Sequence, residues 1–178
     1  MPFGLEKNVG KVLISCKCAS WLSKSSELRR HPSTAKDTFE FLTIIVDHEL
    51  DRNRTMCSFD VKSLFTNIPV DFTVNLILDK VFAGTENKFH GLNRTELRKM
   101  LNWTCKNTVL QFNRKYYTQL DGVAMGSPIA PLMADVFMNW LVDNVSKIGC
   151  SPHILCRYVD TFSVRLTPKT RWINSSKI

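Results

Sequence analysis

One stretch decides the fold of this chain: Ser58-Phe59-Asp60-Val61-Lys62-Ser63-Leu64-Phe65-Thr66-Asn67-Ile68-Pro69. The apolar residues at 56–61 predict a strand, and the residues after it predict a turn. A carboxylate buried in such a strand would lose several kcal/mol of hydration unless a cation or hydrogen-bond donors replaced the water. Asp60 is therefore a candidate metal ligand, and the alternative is an aspartate that caps a turn.

Two later stretches strengthen the metal-site interpretation. Residues 119–128, Gln-Leu-Asp-Gly-Val-Ala-Met-Gly-Ser-Pro, form a loop with two glycines that leads into a predicted helix. Residues 157–160, Arg-Tyr-Val-Asp, end a second predicted strand with a carboxylate. Glycines allow a backbone to approach a ligand closely, because no Cβ intervenes. Three motifs in this order are far more specific than any one of them alone.

On these residues the chain resembles a reverse transcriptase, and within that family it most resembles the Penelope-like retroelement branch. The family's first palm motif is similar to Ser58 to Pro69, and its second is similar to Ala124 to Pro128. Its third motif is usually Arg-Tyr-Val-Asp-Asp, whereas this chain has Arg157 to Thr161 and lacks the second Asp. The similarity extends over residues 31–164.

The resemblance implies an α+β fold, in which helices pack on a palm-like antiparallel sheet, with partial fingers. The predicted order of strand, helix, hairpin, helix and hairpin is consistent with that class. Only 18 residues follow Asp160, so we expect no thumb and a fragment or a decayed copy. We divide the chain into a basic N-terminal segment at 1–32, a fingers and palm fragment at 33–166, and a basic tail at 167–178.

Hydrophobic periodicity and turn residues predict the elements between these motifs. Helices are expected near 21–29 and at 34–50, 71–82, from Asn93 or Thr95 to 106, and at 127–142, and strands at 56–61, 109–112, 116–119, 154–159 and 162–166. Ser33 or Thr34 could cap the second helix, and Ser127 with Pro128 could begin the last one. The predicted apolar stripes are Phe39, Leu42, Ile45, Val46 and Leu50; Leu76, Ile77, Val81 and Phe82; and Leu97, Leu101 and Cys105.

The resemblance also implies the chemistry, which is the transfer of a deoxynucleotide to a DNA primer on an RNA template. Asp60 and Asp160 would be the catalytic carboxylates and, with the carbonyl of Val61, would hold two Mg²⁺ or Mn²⁺ ions roughly 4 Å apart. The deoxynucleoside triphosphate would contact Val61, Phe65, Gln119, Gly126 and Ser127, and Tyr158 would lie near the primer end. For individual residues the alternatives are a core phenylalanine at Phe65, ordinary strand packing at Tyr158 and a surface ion pair at Arg157.

Thr161 separates the two main functional hypotheses. It either replaces the second Asp one for one or follows a one-residue deletion, and a deletion would shift the side-chain phase of the hairpin. The first hypothesis is an RNA-directed DNA polymerase, and the second is a decayed palm that only binds nucleic acid. A basic interaction domain with coincidental motifs is a weaker third hypothesis.

Charge and cysteine usage limit the environment of the chain. The formal net charge is +8, and the excess lies at the two ends, with seven basic against two acidic residues in 1–36 and five against one in 157–178. Such ends suit a polyanion such as nucleic acid. The six cysteines lack zinc-site spacing and are interpreted as reduced thiols. Without a signal peptide or an apolar run of ~18 residues, we expect an intracellular protein, nuclear or cytoplasmic, that is neither secreted nor membrane-bound.

Overall fold

The computed structural model describes residues 22, 26–47, 55–84, 88–145 and 154–166. The chain divides into two compact units, one from residues 1–30 and 63–139 and the other from residues 31–62 and 140–178. The expectations for 1–21 and for the tail at 167–178 lie outside the described residues. The expectation for Leu50 also lies outside them.

The described elements alternate helices with antiparallel strands, as the sequence predicted. In chain order they are α1 (Ser26–Arg29), α2 (Thr38–Asp47), β1 (Thr55–Asp60), α3 (Leu64–Asn67), α4 (Val70–Val81), α5 (Arg94–Lys106), β2 (Val109–Phe112), β3 (Lys115–Thr118), α6 (Ala130–Val145), β4 (Ile154–Tyr158) and β5 (Thr161–Leu166). The α+β class is confirmed, and the first and last predicted strand regions are correct to within about one residue at most ends.

The second unit contains a three-stranded antiparallel sheet in the order β1-β5-β4. Its register pairs Phe59 with Phe162 and Cys57 with Val164, so these apolar residues share one face. The opposite face carries Asp60 paired with Thr161. Because side chains alternate along a strand, this register separates an apolar face from a polar one, and the apolar pattern of β5 specifies its phase.

The first unit has a core built where α4 packs against α5. Asn93 caps α5 in a capping box, in which its side chain accepts from the Glu96 backbone and the Glu96 carboxylate accepts from the Asn93 backbone. The predicted stripe of α5 is confirmed, since Leu97, Leu101 and Cys105 are all buried. Each such apolar side chain contributes roughly 1.5–3 kcal/mol when it is fully buried.

Three predicted details of the helices are wrong. The buried residues of α4 are Thr73, Val74, Ile77 and Leu78 rather than the predicted stripe, of which only Ile77 is buried. The helix α6 begins at Ala130, because the backbone N–H of Ala130 bonds the carbonyl of Ser127 in a turn that precedes it. On α2, Phe39 and Val46 are 80% and 76% exposed, so the predicted apolar face is not buried.

The cap of α2 was also predicted at the wrong residue. The helix starts at Thr38, and the Asp37 carboxylate accepts a hydrogen bond of 2.8 Å from the backbone N–H of Glu40. Thr34 instead pairs with Arg157 in an isolated parallel bridge. An aspartate three residues before an N–H of the first turn is a normal helix cap, so the error was one of choosing between neighbouring capping residues.

The first hairpin turns more tightly than expected. Asn113 and Arg114 form a two-residue turn with φ values of 47° and 58°, whereas the sequence was interpreted as a three-residue connection. Positive φ at both central residues matches the right-handed twist of the flanking strands. The shorter turn places Tyr116 opposite Gln111 and Tyr117 opposite Leu110.

Three of the six cysteines lie in the described part of the chain. Cys57, Cys105 and Cys156 are free, and the other cysteines lie outside the described residues. Burial raises the pKa of the Cys105 thiol to about 12 and raises that of Cys156. Both thiols therefore stay protonated near neutral pH and behave as small apolar groups. Within the described ranges, no helix is long and apolar enough to cross a membrane.

Candidate active site

Asp60 and Asp160 lie at one corner of the three-stranded sheet. Asp60 is the last residue of β1, and Asp160 lies in the turn that joins β4 to β5, the strand paired with β1. The backbone N–H of Val61 donates a 3.1 Å hydrogen bond to the carbonyl of Asp160, which connects the two backbones directly. The structure therefore places the backbones of the two aspartates that the sequence singled out side by side.

The expected burial of Asp60 is wrong. Its side chain is exposed, and Asp160 is half-buried. The strand residues around Asp60 are less enclosed than the apolar sequence suggested, since Phe59 is 42% and Met56 is 54% exposed. Water can therefore hydrate the Asp60 carboxylate, and the several kcal/mol of lost hydration that motivated the metal argument does not apply. What supports a metal site is the proximity of the two aspartates.

Thr161 occupies the position next to this pair. It is the first residue of β5 and lies directly opposite Asp60 in the register. Its Oγ1 donates to Oδ1 of Asp60 at 3.3 Å. A hydroxyl therefore contacts the carboxylate at the place where the related motif has a second aspartate, and the corner carries one negative charge fewer.

The turn that carries Asp160 is held by a buried arginine. Arg157 is 1% exposed, and its Nη1 donates to the carbonyl of Val159 at 2.8 Å while its Nη2 donates to Oγ1 of Thr34 at 3.0 Å. The backbone of Arg157 also bonds to Ser33 and Ala35 on either side of Thr34. The surface location considered from sequence is therefore wrong, because the guanidinium is buried.

Val159 explains why the turn needs this support. Its φ is 54°, in the left-handed region that a β-branched residue adopts at a cost of roughly 1–3 kcal/mol. The hydrogen bond from Arg157 to the Val159 carbonyl holds the residue in that conformation. Arg157 is therefore a positioning residue, which acts on Asp160 through the turn.

Replacing Arg157 with alanine is expected to lower the free energy of unfolding by about 2–3 kcal/mol. The change removes the donors of two hydrogen bonds and leaves a cavity, and a buried acceptor without a donor costs about 1–3 kcal/mol. Urea denaturation followed by circular dichroism measures the loss. Arg30→Ala is the matched control, because Arg30 is exposed and its loss should change stability by less than about 0.5 kcal/mol. Equal midpoints for the two variants would contradict the role of Arg157.

The candidate residues Phe65, Gln119, Gly126 and Ser127 lie in the first unit, whereas Tyr158 lies in the second. Phe65 is half-buried in the short helix α3, and its carbonyl accepts a 2.8 Å hydrogen bond from the backbone N–H of Val123. Gly122 is buried with φ 73°, and a Cβ there would lie 2.5 Å from the carbonyl oxygens of both Phe65 and Thr66. The glycine loop is therefore docked on the chain segment that follows β1, and Gly122 is needed for that contact rather than for a nucleotide.

Gly126 and Ser127 have a different setting. Gly126 has φ 89° and is exposed, and apart from its chain neighbours no atom of the described residues lies within 4 Å of the Cβ that it lacks. Ser127 is half-buried, and its backbone N–H bonds the carbonyl of Ala124. Gln119 is half-buried, and its side-chain amide donates to the carbonyl of Asp121. Open space beside Gly126 leaves room for a ligand, whereas Gln119 must release its bond to reach one.

The donor set at the sheet corner fits a divalent ion that is shared with a substrate. Two carboxylates and a hydroxyl are oxygen ligands, and Mg²⁺ is commonly held by one or two carboxylates together with substrate phosphates. Within the described ranges, no group of three or more His, Cys, Asp or Glu side chains could hold a metal by itself. Asp60 and Asp160 could therefore hold an ion only with help from backbone oxygens, water or phosphate.

An antiparallel sheet that carries two aspartates at one corner and is accompanied by helices has the architecture of a polymerase palm. Residues 5–170 match the family model of the reverse transcriptase (RNA-dependent DNA polymerase). The match covers most of the chain, which therefore belongs to the reverse transcriptase family. No curated protein sequence matches the chain.

Solved telomerase structures have a similar fold. Apo telomerase from Candida tropicalis aligns with 16% identity and a TM-score of 0.63, over 90% of this chain and 31% of that one. Telomerase from Candida albicans in complex with the TWJ fragment of telomeric RNA aligns with 14% identity and a TM-score of 0.62, over 89% and 30%. The chain thus spans about a third of the length of these proteins, and the likeness concerns the fold.

Proposed function

We propose that the chain is the fingers and palm part, at residues 33–166, of an RNA-directed DNA polymerase. The observation that carries this proposal is the corner of the sheet, where Asp60 and Asp160 are connected through the hydrogen bond between Val61 and Asp160. Together with membership of the reverse transcriptase family, this geometry supports the transfer of a deoxynucleotide to the 3′ hydroxyl of a DNA primer on an RNA template.

Each residue would have a separate role in the transfer. Asp60 and Asp160, with the carbonyl of Val61, would hold Mg²⁺ or Mn²⁺ and orient the triphosphate between them. When bound, the ions would lower the pKa of the primer hydroxyl and stabilise the leaving pyrophosphate. Tyr158, which pairs with Thr161 and is 53% exposed, would contact the primer end.

The motif resemblance implies that residues of the glycine loop contact the nucleotide. Gly126 leaves open space for a base or sugar, and Ser127 follows it in the chain. Gln119 would contact the template strand or the incoming nucleotide after it releases its bond to the Asp121 carbonyl. The half-buried ring of Phe65 would exclude a 2′ hydroxyl and so favour deoxynucleotides. These assignments rest on the motif resemblance, which also supports a Penelope-like retroelement as the source.

A second candidate function is favoured by Thr161. A palm that has lost a carboxylate could bind nucleic acid without polymerising it, because phosphate contacts do not need the metal site. The hydroxyl that contacts Asp60 at 3.3 Å is the observation behind this alternative.

Nucleotide incorporation on a primed RNA template tests the polymerase proposal. We expect the Thr161→Asp variant to incorporate labelled deoxynucleotide when it is fused to the thumb of a related polymerase, in Mg²⁺ or in Mn²⁺. The matched control adds Asp60→Asn, which keeps the size of the side chain and removes its charge. Incorporation that is unchanged by Asp60→Asn would show that Asp60 is not a catalytic carboxylate.

Binding to primed RNA is expected to weaken strongly with salt. The chain has a net charge of +8, and each neutralised phosphate releases counterions, so a protein with about three phosphate contacts loses roughly 20- to 40-fold in affinity between 50 and 200 mM salt. Fluorescence anisotropy with a labelled primed template measures the slope. An affinity that stays constant over that range would exclude phosphate contacts as the source of binding.

A further inference from the structure

The hairpin formed by β2 and β3 is exposed on both of its faces. Every side chain of the two strands that the structure describes is exposed, including Phe112 at 73%, Tyr116 at 72% and Tyr117 at 49%. Among the described strands, β2 and β3 pair only with each other. A two-stranded hairpin without a packed face is marginally stable in water, so this element gains stability from any partner that covers its rings.

The register divides the aromatic rings between the two faces. Phe112 pairs with Lys115, and Tyr117 pairs with Leu110 at the next position on the same face. Phe112 and Tyr117 are therefore diagonal neighbours, whose Cα atoms lie about 7–8 Å apart in such a pair, and Lys115 is on the same face. Tyr116 lies on the opposite face, opposite Gln111. The first face thus offers two rings and a cation, and the second offers one ring among polar and aliphatic neighbours.

The charge of the segment identifies the kind of partner. Between Thr104 and Leu120 there is no acidic residue, and the basic ones are Lys106, Arg114 and Lys115. The Lys106 ammonium contacts the Asp71 carboxylate at 2.7 Å, which leaves Arg114 and Lys115 as the charges of the hairpin. Exposed rings beside positive charge, without acidic residues between them, are the features of surfaces that stack the bases of single-stranded nucleic acid.

We propose that the face defined by Phe112, Lys115 and Tyr117 binds single-stranded RNA. Two successive bases stack on the rings of Phe112 and Tyr117, and Lys115 and Arg114 contact the phosphates. The inference rests on the proposed function only in that the ligand is nucleic acid. Polymerisation is not required for it.

Alanine variants on the two faces of the hairpin test this inference. The probe is a fluorescein-labelled single-stranded oligouridine RNA, measured by anisotropy with the 178-residue chain. Phe112→Ala and Tyr117→Ala should each weaken binding by about 5- to 150-fold, the range given by base–aromatic stacking. Tyr116→Ala removes an equally exposed ring from the opposite face and should change affinity by less than about twofold. Equal losses for Tyr116→Ala and Phe112→Ala would overturn the assignment to one face.

Two further variants separate stacking from folding and from charge. Phe112→Trp keeps a ring and should retain the affinity, so a loss in this variant would contradict stacking even if Phe112→Ala fails to fold. Arg114→Asn removes a charge, and asparagine tolerates the left-handed turn conformation. It should reduce the salt slope of binding by about 0.7 for the phosphate contact that is lost. An unchanged slope would exclude Arg114 from the site.

These measurements distinguish a failure of the RNA-binding inference from a failure of the polymerase proposal. RNA binding that depends on Phe112 and Tyr117 in a protein that never incorporates nucleotide would support the inference and contradict the polymerase function. Incorporation with unaltered RNA binding in both variants would do the reverse. Sedimentation provides the remaining check: dissociation of a dimer by Phe112→Ala, with RNA affinity unchanged, would assign this face to a second copy of the chain and overturn the inference.

Discussion

Primer extension by the chain with its own Thr161 is expected to be at least about 100-fold slower than extension by Thr161→Asp. The threonine hydroxyl contributes a dipole beside Asp60, whereas the family motif has a full negative charge there. Charge stabilisation around a catalytic ion amounts to several kcal/mol, and each 1.36 kcal/mol is tenfold in rate. The assay compares both proteins fused to the same related thumb, on one primed RNA template in Mg²⁺.

The register of β5 indicates which repair should succeed. Phe162 and Val164 now share the apolar face with Phe59 and Cys57. If the two-residue turn is kept, an Asp inserted after Asp160 takes the place of Thr161 and moves every later residue of β5 by one position. Phe162 and Val164 would then lie on the polar face. The alternative is a longer turn that moves Asp160 away from Val61.

We therefore expect the replacement Thr161→Asp to restore extension and the insertion to fail. Thr161→Asn is the matched control, since it has the size of aspartate without its charge and should remain inactive. Rapid extension by the unaltered chain would refute the defect. Rescue by insertion alone would show that phase rather than charge is at fault, which the deletion hypothesis predicts.

Local sequence signals predicted the helices and strands well, because the capping, turn and apolar residues that form each element lie within its own sequence. Helix α5 has its capping box at Asn93 and Glu96 and its apolar residues four positions apart, so its start and its buried face were both correct. The hairpin with Asp160 at its tip was also predicted, since turn residues separate two short apolar runs. The prediction that Asp60 and Asp160 lie close together came from the order of the palm motifs and not from local signals.

The errors involve contacts that join residues far apart in the sequence. Nothing near Arg157 indicates that its guanidinium would be buried and donate to Thr34, which lies 123 positions earlier. The exposure of Phe39 and Asp60 depends on which other elements pack against them, and the periodicity of the local sequence does not predict that packing. For Gly122, the signal was a glycine in a loop that leads into a predicted helix. It was interpreted as room for a ligand, although the chain itself fills that room.

Gly122→Ala is expected to lower the free energy of unfolding by about 2–5 kcal/mol. A left-handed conformation costs a residue with a Cβ about 1–2 kcal/mol, and φ at Gly122 is 73°. The new methyl would also lie 2.5 Å from the carbonyl oxygens of Phe65 and Thr66. These are backbone atoms that cannot rotate away, so the loop must move and lose the hydrogen bond from Val123 to Phe65, and overpacking of this kind costs about 1–3 kcal/mol more.

Gly126→Ala separates the contact from the backbone strain. Gly126 has φ 89° in the same loop, but nothing lies within 4 Å of the added methyl, so its alanine variant should lose only the strain, about 1–2 kcal/mol. Urea denaturation measures the free energy of unfolding of both variants. The larger loss expected for Gly122→Ala comes from the contact of its methyl with the carbonyls of Phe65 and Thr66. Equal losses would show that the loop does not dock on that segment. Nucleotide binding by the two variants is compared in the absence of urea, where both are folded. Weaker binding by Gly126→Ala, with unchanged binding by Gly122→Ala, would assign the nucleotide contact to the open space beside Gly126.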